Sequence, residues 1–353
     1  MQICVYLEQL EHGKSFFTKL LILRSYLLKI DQYIIDPERE YNKICQNLNG
    51  TLIKIGPNSN TYINILDIRE DSSEEGKGYL ATKINKLIGF FKLVFGELNE
   101  EEKAILEEKL IQIYEKKGIT LEDKSLYQQE KNTITIKPIF KEPNEMPIME
   151  DLYEALGRDY KTKKMQIKLI PFVKGSLSFF NHITNISFQS SLVVADIYDL
   201  GEENLVYGMY AFTNFFWDKI KRNRTTKKVI YLDEVWRLIG VTSNKEVASF
   251  IYKIFKTIRK YGGSGVAITQ DVSDLFSLEN GIYGKCILNN SSTKIFFALE
   301  EENIKLLSEN IVLTEKEKIE IKSLKKGEAL LVAGEEHALM KVEVANFEKE
   351  IID

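Results

Sequence analysis

The stretch that most constrains this chain runs from Val229 to Glu234 and reads V-I-Y-L-D-E. Four mostly apolar residues that run into two carboxylates, after a polar Lys-Lys pair, are typical of a fully buried parallel strand. Such a strand delivers Asp233 and Glu234 to the carboxyl edge of a sheet, where ligands bind in open α/β folds. The sequence therefore favours an α/β fold with its chemistry at that edge.

Two adjacent carboxylates at this edge suit the hydrolysis of a nucleoside triphosphate. Asp233 can hold Mg²⁺ through its water shell, and Glu234 can accept a proton from an attacking water. The alternative is structural, because an Asp-Glu pair also favours the dipole of a helix that begins at Val235-Trp236. A second feature far upstream, Gly13-Lys14-Ser15, tips the balance towards hydrolysis.

Gly13-Lys14-Ser15 follows a predicted strand, Ile3 to Leu7, and precedes an apolar helix pattern that extends through Leu28. A phosphate-binding loop reads G-x-x-x-x-G-K-[ST]; its backbone N–H groups cradle phosphates, its Lys reaches the terminal ones and its hydroxyl binds Mg²⁺. Glu8 stands where the first Gly belongs, so this loop is degenerate. The tripeptide alone is a weak motif, and its position between a strand and a helix strengthens it.

Asp36 follows the next predicted strand, Gln32 to Ile35, which completes a βαβ unit with a right-handed crossover. This topology puts Asp36 at the same sheet edge as Lys14, where it is a candidate for nucleotide binding. The alternative is that Asp36 forms the turn before Pro37.

The middle of the chain predicts a helical insertion. Extended runs at Thr51 to Ile55 and Thr61 to Ile68 precede a polar linker, and helical periodicity then continues from Tyr79 to about Arg158. We therefore predict that residues 1–70 form the first part of an α/β core, residues 71–165 a mainly helical inserted subdomain, and residues 166–353 the remainder of the core.

Two polar residues of the later core are candidates for chemistry. Arg259 lies near the end of a predicted helix, Lys245 to Tyr261, where a basic residue also suits the helix dipole. Gln270 ends the strand Gly265 to Thr269, so its amide can sense a terminal phosphate or cap the following helix. Beyond them, residues 328–332 and 338–344 predict a β-hairpin, which would add an antiparallel edge to a mainly parallel sheet.

Composition limits the classes of function. The chain has 353 residues, 44% of them hydrophobic, and a net charge of −4. This is enough for a sizeable core, and it provides no global basic field for gripping nucleic acid, although local basic patches remain possible. Three cysteines without metal-type spacing indicate a reduced, cytosolic compartment. No apolar run is long enough to span a bilayer, so membrane association is expected through a partner.

Several motifs together resemble one family. They are V-I-Y-L-D-E-V-W-R-L-I, I-R-K-Y-G-G-S-G, I-T-Q-D-V-S-D-L, I-I-D-P-E-R-E-Y and the G-K-S loop. This set resembles the C-terminal ATPase domain of the type IV secretion and conjugation ATPases, the VirB-four/TraC/TrbE family, over nearly the whole chain. The resemblance implies a RecA-like P-loop core of the HerA/FtsK class with a helical insertion. It also implies ATP and Mg²⁺ as cofactors, a homo-oligomer that is hexameric in the assembled machine, and partner subunits at the inner face of the bacterial membrane.

The resemblance also implies roles for individual residues. The nucleotide-binding set is Gly13, Lys14, Ser15, Phe16 and Asp36, with Ser15 and Asp233 on Mg²⁺. The catalytic set is Glu234 as the base, Gln270 as the phosphate sensor and Arg259, presented to the nucleotide of a neighbouring subunit. Glu8 departs from the family pattern, and the chain is expected to be a fragment without the family's N-terminal domain.

Three functions stay open at this point. The first is an ATPase motor that powers pilus assembly or secretion through the cell envelope. The second is a DNA-pumping translocase, for which Lys221 to Arg224 with Lys227-Lys228 would supply the basic pore loop. The third is a structural subunit with an impaired nucleotide loop. Fold analogy alone does not assign a transported substrate.

Overall fold

The computed structural model describes residues 4–7, 13–70, 78–128, 139–187, 190–240, 243–270 and 272–352. The chain divides into two compact units, Met1–Lys54 with Phe188–Asp353, and Ile55–Ser187. The predicted insertion, 71–165, falls inside the second unit, and its boundaries stay a prediction.

A nine-stranded sheet forms the centre of the first unit. The strands of this sheet and of a separate two-stranded pair are numbered together in chain order: β1 (Cys4–Leu7), β2 (Asp31–Asp36), β3 (Thr51–Lys54), β4 (Tyr127–Gln128), β5 (Ile139–Phe140), β6 (Leu192–Asp196), β7 (Lys228–Leu232), β8 (Gly263–Thr269), β9 (Thr293–Phe296), β10 (Glu328–Ala333) and β11 (Glu336–Lys341). The order in the sheet is β11-β10-β9-β1-β8-β7-β2-β6-β3, and the short β4–β5 pair lies in the second unit. The strands from β9 to β3 are parallel, and β10 and β11 add an antiparallel edge. This confirms the predicted fold class.

Helices connect the strands of the first unit and build most of the second. They are α1 (Lys14–Leu27), α2 (Asn42–Asn47), α3 (Tyr79–Phe95), α4 (Glu100–Glu115), α5 (Met149–Gly157), α6 (Lys163–Lys174), α7 (Leu205–Arg222), α8 (Trp236–Ile239), α9 (Lys245–Thr257), α10 (Val272–Leu275), α11 (Ile282–Asn290), α12 (Glu301–Ser308), α13 (Glu315–Ser323) and α14 (Asn346–Ile352). Helices α3 to α6 belong to the second unit. Within the described ranges, no helix is both long and apolar enough to cross a bilayer.

Burial explains the continuous apolar runs of the central strands. Every residue of β6, β7 and β8 is buried, which is the environment of a parallel strand covered on both faces. Helix α1 contributes Ile22 and Leu23 to the core on one face of this sheet. Strand β7 ends at Leu232, two residues earlier than predicted, so Asp233 and Glu234 lie in the turn just beyond it.

The predicted extended run from Thr61 to Ile68 is wrong as a strand, because its backbone N–H groups bond largely to side chains and none of its backbone groups pairs with a neighbouring strand. The N–H of Asn64 donates to Thr184 Oγ1 at 2.8 Å, and the N–H of Tyr62 donates to Asn185 Oδ1 at 2.8 Å. The N–H of Leu66 donates to Asn64 Oδ1 at 2.9 Å. The apolar residues of this run, Ile63, Ile65, Leu66 and Ile68, are nevertheless buried inside the second unit, as their pattern in the sequence indicates.

Candidate functional site

The carboxyl ends of four neighbouring strands bring polar residues to one edge of the sheet. Asp36 at the end of β2 pairs in register with Asp196 at the end of β6. Asp233 and Glu234 follow β7, and Gln270 follows β8. These strands are adjacent and parallel, so the residues meet where open α/β sheets bind ligands.

Lys14 joins this cluster from the first turn of α1. Its Nζ lies 2.7 Å from Glu234 Oε1 and 3.3 Å from Asp233 Oδ1, and all three side chains are buried. Burial opposes the charge on Lys14, but the two carboxylates outweigh it and raise the pKa of the ammonium above its usual value. Lys14 therefore carries a positive charge at the edge of the sheet.

Glu234 is held from several sides in a backbone conformation that few non-glycine residues adopt. Its φ is 50°, and its carboxylate accepts from Lys14. Gln270 Nε2 also donates to Oε1 at 2.9 Å, and Trp236 Nε1 donates to Oε2 at 2.6 Å. Both carboxylate oxygens therefore have partners, which fixes the carboxylate beside the Lys14 ammonium.

Asp233 is positioned by Tyr41, a residue that the sequence analysis did not single out. The Tyr41 hydroxyl donates to Asp233 Oδ2 at 2.8 Å, so Asp233 Oδ1 is the oxygen that faces Lys14. Burial, with the adjacent Asp233 charge, raises the pKa of the Tyr41 hydroxyl well above its usual value, which keeps it a hydrogen-bond donor. Tyr41 is the last residue of the motif I-I-D-P-E-R-E-Y, but nothing in that motif indicates a contact with Asp233.

Asp36 shapes the turn that places Tyr41. One of its carboxylate oxygens accepts the N–H of Glu40 at 3.0 Å and the other accepts the N–H of Tyr41 at 2.9 Å. Burial raises the pKa of Asp36 to about 7; the two N–H donors oppose this shift, and the charges of Asp233 and Asp196 add to it. These contacts are those of a turn former, and direct contact between Asp36 and a nucleotide stays a prediction.

A neighbouring carboxylate, Asp196, is compensated separately. Arg39 Nε donates to Asp196 Oδ2 at 2.8 Å, and Asn42 Nδ2 donates to the same oxygen at 2.7 Å. The guanidinium of Arg39 also reaches Asp199 at 2.5 Å. Arg39 thus pairs with Asp196 and Asp199, whereas Lys14 is the cation that contacts Asp233 and Glu234.

The remaining predicted residues differ in how close they lie to this cluster. Gly13 precedes α1 and is buried, while Ser15 and Phe16 follow Lys14 in the first turn and are half-buried. Phe16 packs against the hydrophobic core beneath the helix. Glu8, at which the loop departs from the phosphate-binding pattern, lies outside the described residues.

Arg259 is not brought to the site. It is exposed in a 3₁₀ turn, Ile258–Tyr261, which leads into the start of β8, and the backbone N–H of Lys228 donates to Gly262 O at 3.2 Å. Arg259 therefore lies at the amino-terminal edge of the sheet. The length of β7 separates that edge from Asp233, which is roughly 15 Å at a rise of about 3.3 Å per residue.

The charge balance of the cluster fits a magnesium-bound triphosphate. Asp233 and Glu234 are buried with one ammonium between them, so the three side chains together carry an excess of negative charge that a divalent cation can offset. Among the described residues, no group of three or more His, Cys, Asp or Glu side chains could hold a metal ion. Proteins usually bind Mg²⁺ through one or two carboxylates together with substrate phosphates.

Known proteins resemble this chain in both sequence and fold. The sequence model of the TraG P-loop domain family matches residues 6–344 of this chain. The structure of VirB4 of Thermoanaerobacter pseudethanolicus is 29% identical with a TM-score of 0.86, covering 99% of this chain and 91% of that one. The type IV secretion system protein VirB4 of Bartonella quintana is 26% identical over 254 residues, which is 69% of this chain and 30% of that relative's length. The plasmid coupling protein TrwB, in complex with ADP and Mg²⁺, shares the fold at 13% identity, with a TM-score of 0.60 over 98% of this chain and 85% of that one.

Proposed function

This chain belongs to the TraG P-loop domain family and is of the VirB4/TraC type of secretion ATPase, and on that premise we propose that it hydrolyses ATP with Mg²⁺ to power type IV secretion. The observation that carries the proposal is the buried contact of Lys14 with Asp233 and Glu234. It joins Lys14 of the first strand-helix unit to the carboxylates of Asp233 and Glu234, which follow β7. A nucleoside triphosphatase needs these two elements together.

In this proposal the first turn of α1 receives the triphosphate. The Lys14 ammonium binds the terminal phosphates, and the backbone N–H groups near Gly13 contact the phosphate oxygens. Ser15 and Asp233 would hold Mg²⁺, which supplies charge neutralisation to the phosphates when it is bound. Tyr41 donates to Asp233 Oδ2, and the proposed metal-facing oxygen is Oδ1, which accepts from Lys14 and from the N–H of Glu234.

Glu234 is the proposed general base. When phosphate oxygens attract Lys14, the ammonium leaves Glu234 Oε1, and that oxygen becomes able to accept a proton from the attacking water. Gln270 and Trp236 retain their hydrogen bonds to the carboxylate and keep it oriented. Gln270 is close enough to the base to orient the water or to contact the terminal phosphate, as a Gln does in other nucleotidases.

Arg259 is the proposed residue that completes a neighbouring subunit's site. Its exposed position at the amino-terminal edge keeps it away from Lys14 of its own chain, which supports a role between subunits in a homo-oligomer. An arginine supplied in this way would stabilise the charge of the transition state. The proposed assembly, a hexamer held by other secretion subunits at the inner face of the bacterial membrane, rests on the family.

Nucleotide titration tests the binding part of this proposal. A fluorescent ATP analogue with Mg²⁺ should bind the native chain and the Glu234→Gln variant with similar affinity, and it should bind Lys14→Ala more weakly. A Lys19→Ala variant is the control, because Lys19 lies on the same helix outside the cluster. If Lys14→Ala and Lys19→Ala bind as tightly as the native chain, Lys14 does not contact phosphate and the proposal fails.

Mixing two inactive variants tests the role of Arg259. Arg259→Ala and Glu234→Gln each lack one component, so a mixed assembly would contain some complete sites, and partial ATP turnover should reappear. Sizing of the mixture must show that the two variants associate. If the mixed assembly is as inactive as its components, Arg259 serves only its own chain or its own helix.

A further inference from the structure

A cavity with a volume of about 590 Å³ lies in the first unit, within the size range of small-molecule sites. Three strands form its floor. Lys294 in β9 is in register with Val332 in β10, and Val332 is in register with His337 in β11. These residues form one row across the sheet, and all three line the cavity. Lys294 is the second residue of a parallel strand, so the cavity lies at the amino-terminal edge, away from the candidate site.

The row faces away from the core that α1 covers. Ile295, the neighbour of Lys294 in β9, belongs to that core, and side chains alternate between the two faces along a strand. On the Lys294 face, the segment between α12 and α13 contributes Ile311 to the wall of the cavity. The N–H of Gly334 donates to Ser292 O at 3.2 Å, which holds the tip of the β10–β11 hairpin against the start of β9. A packed structure therefore fixes the floor and the hairpin side of the cavity.

Lys294 brings a positive charge into the cavity without a carboxylate beside it. Its side chain is half-buried, and its Nζ donates to the carbonyl of Ser291 at 2.7 Å. Within the described part of the chain no carboxylate pairs with this ammonium, and burial lowers its pKa. A cation that has lost part of its hydration without gaining a counter-ion is stabilised by a bound anion. Lys294 therefore marks one end of the cavity as a site for a negative group.

Two carboxylates in the lining limit the charge of that group. Glu317 has its own partners, because Oε1 lies 2.6 Å from His337 Nδ1 and Oε2 accepts the N–H of Thr314 at 2.7 Å. Burial opposes the ionisation of Glu317, but the hydrogen bonds from Thr314 and His337 outweigh it and lower the pKa of the carboxyl. Glu335 lines the cavity from the tip of the hairpin. Two negative groups near a single ammonium favour a ligand with one negative charge over a phosphate dianion.

The row on the floor also sets the shape of the ligand. Adjacent strands are about 4.8 Å apart, so roughly 10 Å separates the backbones at Lys294 and His337, with the apolar Val332 between them. Ile311 adds apolar surface to the wall. We propose that this cavity binds a small monoanionic ligand, with its carboxylate at Lys294 and an apolar body over Val332. The C-terminal residue of a peptide and a free organic acid both have this chemistry.

Saturation-transfer NMR with N-acetyl-leucine and N-acetyl-leucinamide tests the proposal, because the two probes differ only in the carboxylate. The full chain should bind the acid with a Kd of about 1 mM, as expected for so few atoms, and the amide on the order of tenfold more weakly. Equal affinity for both probes, or no binding of the acid by the native chain, would overturn the proposal. Displacement of the acid by inorganic phosphate at a lower concentration would also overturn it.

Substitution of Lys294 assigns the binding to this cavity. Lys294→Met removes the charge and keeps the aliphatic stem, so it should bind the acid on the order of tenfold more weakly and the amide as before. Lys294→Arg keeps the charge and should restore binding of the acid. Lys341→Met is the matched control, because it removes the same charge from an exposed position of β11 outside the cavity. An unchanged Kd in Lys294→Met, or an equal loss in Lys341→Met, would contradict the assignment.

A longer probe identifies the source of the carboxylate. An acetylated tripeptide that ends in leucine should bind more tightly than N-acetyl-leucine if the ligand is the end of a peptide, and more weakly if the ligand is a free acid. Lys294→Met should bind the fluorescent ATP analogue as the native chain does, so failure of this proposal is distinguishable from failure of the proposed ATPase site. Weaker binding of the ATP analogue by Lys294→Met would show that Lys294 acts on the candidate site and would overturn a separate ligand site.

Discussion

The ammonium of Lys14 lies 2.7 Å from the carboxylate of Glu234, so the group proposed to bind phosphate directly contacts the group proposed to activate water. As long as this ion pair persists, the proposed base has a cation beside the oxygen that should accept a proton. In the proposed mechanism, a bound triphosphate offers Lys14 a more highly charged partner and releases that oxygen. The same contact would then link nucleotide binding to the activation of the base.

Tyr41→Phe should weaken the metal site without disrupting the core. The change removes the hydroxyl that donates to Asp233 Oδ2 and leaves a buried acceptor without its partner, at a cost of about 1 to 3 kcal/mol in the free energy of unfolding. Because Tyr41 orients the proposed metal ligand, the Mg²⁺ concentration that gives half-maximal thermal stabilisation by ATP should rise on the order of tenfold. Thermal unfolding across a Mg²⁺ series measures this.

Tyr231→Phe is the matched control for that measurement. The buried Tyr231 hydroxyl donates to Gln32 Oε1 at 3.0 Å, inside the sheet and away from Asp233. It should lower stability by a similar amount and leave the Mg²⁺ dependence unchanged. If both variants shift the Mg²⁺ dependence equally, Tyr41 has no specific role at the metal site.

Asp36 should make the chain less stable as the pH rises from about 4 to 7. Its pKa in the folded chain is about 7, against an ordinary 3.8, so between these values the folded chain binds a proton that the unfolded chain has lost. Stability then falls with rising pH, by about 1.4 kcal/mol per unit at most, and levels off above about pH 8. Urea unfolding at a series of pH values measures the slope.

Asp36→Asn should remove this part of the pH dependence, because asparagine does not titrate. Asp199→Asn is the control, since Asp199 is exposed and pairs with Arg39 outside the cluster. It should retain the native slope. A slope in Asp36→Asn as steep as in the native chain would show that other groups cause it.

Gly262→Ala should destabilise the chain more than Gly118→Ala does. Both glycines have a left-handed φ, 70° and 67°, so alanine costs about 1 to 2 kcal/mol at either position. At Gly262 the new Cβ would also lie 2.6 Å from Arg224 O and 2.9 Å from Thr226 O, whereas nothing lies within 4 Å at Gly118. The clash should add about 1 to 3 kcal/mol in urea unfolding. Equal losses would mean that the loop before β7 moves away without cost.

The sequence predicts the sheet edge well because the information is local. A buried strand followed by Asp233-Glu234, and a Gly-Lys-Ser sequence between a strand and a helix, each fix their own position, and parallel topology then brings them together. The position of Arg259 at the amino-terminal edge of the sheet can be derived in the same way, because a helix that starts at the carboxyl edge and leads into a parallel strand ends at the amino-terminal edge. Strands β4 and β5 are too short to give a pattern.

Contacts between distant residues are harder to predict. Tyr41 and Trp236 lie within two of the quoted motifs, but the motifs do not show that their polar groups bond to Asp233 and Glu234. The run from Thr61 to Ile68 has a strand pattern, but side chains of Thr184 and Asn185 satisfy its backbone, and these partners are more than a hundred residues away. Helix α14 was also missed, because its seven residues are too few for a periodic signal.

Phosphate release from ATP by the purified chain, measured with and without Mg²⁺ for the native sequence and for Glu234→Gln, tests the central claim most directly. The native chain should show Mg²⁺-dependent turnover. Glu234→Gln should reduce this turnover roughly 10²- to 10⁴-fold, the usual contribution of a general base, while its affinity for the fluorescent nucleotide stays the same. Native turnover that is independent of Mg²⁺, or that equals the turnover of Glu234→Gln, would contradict the account.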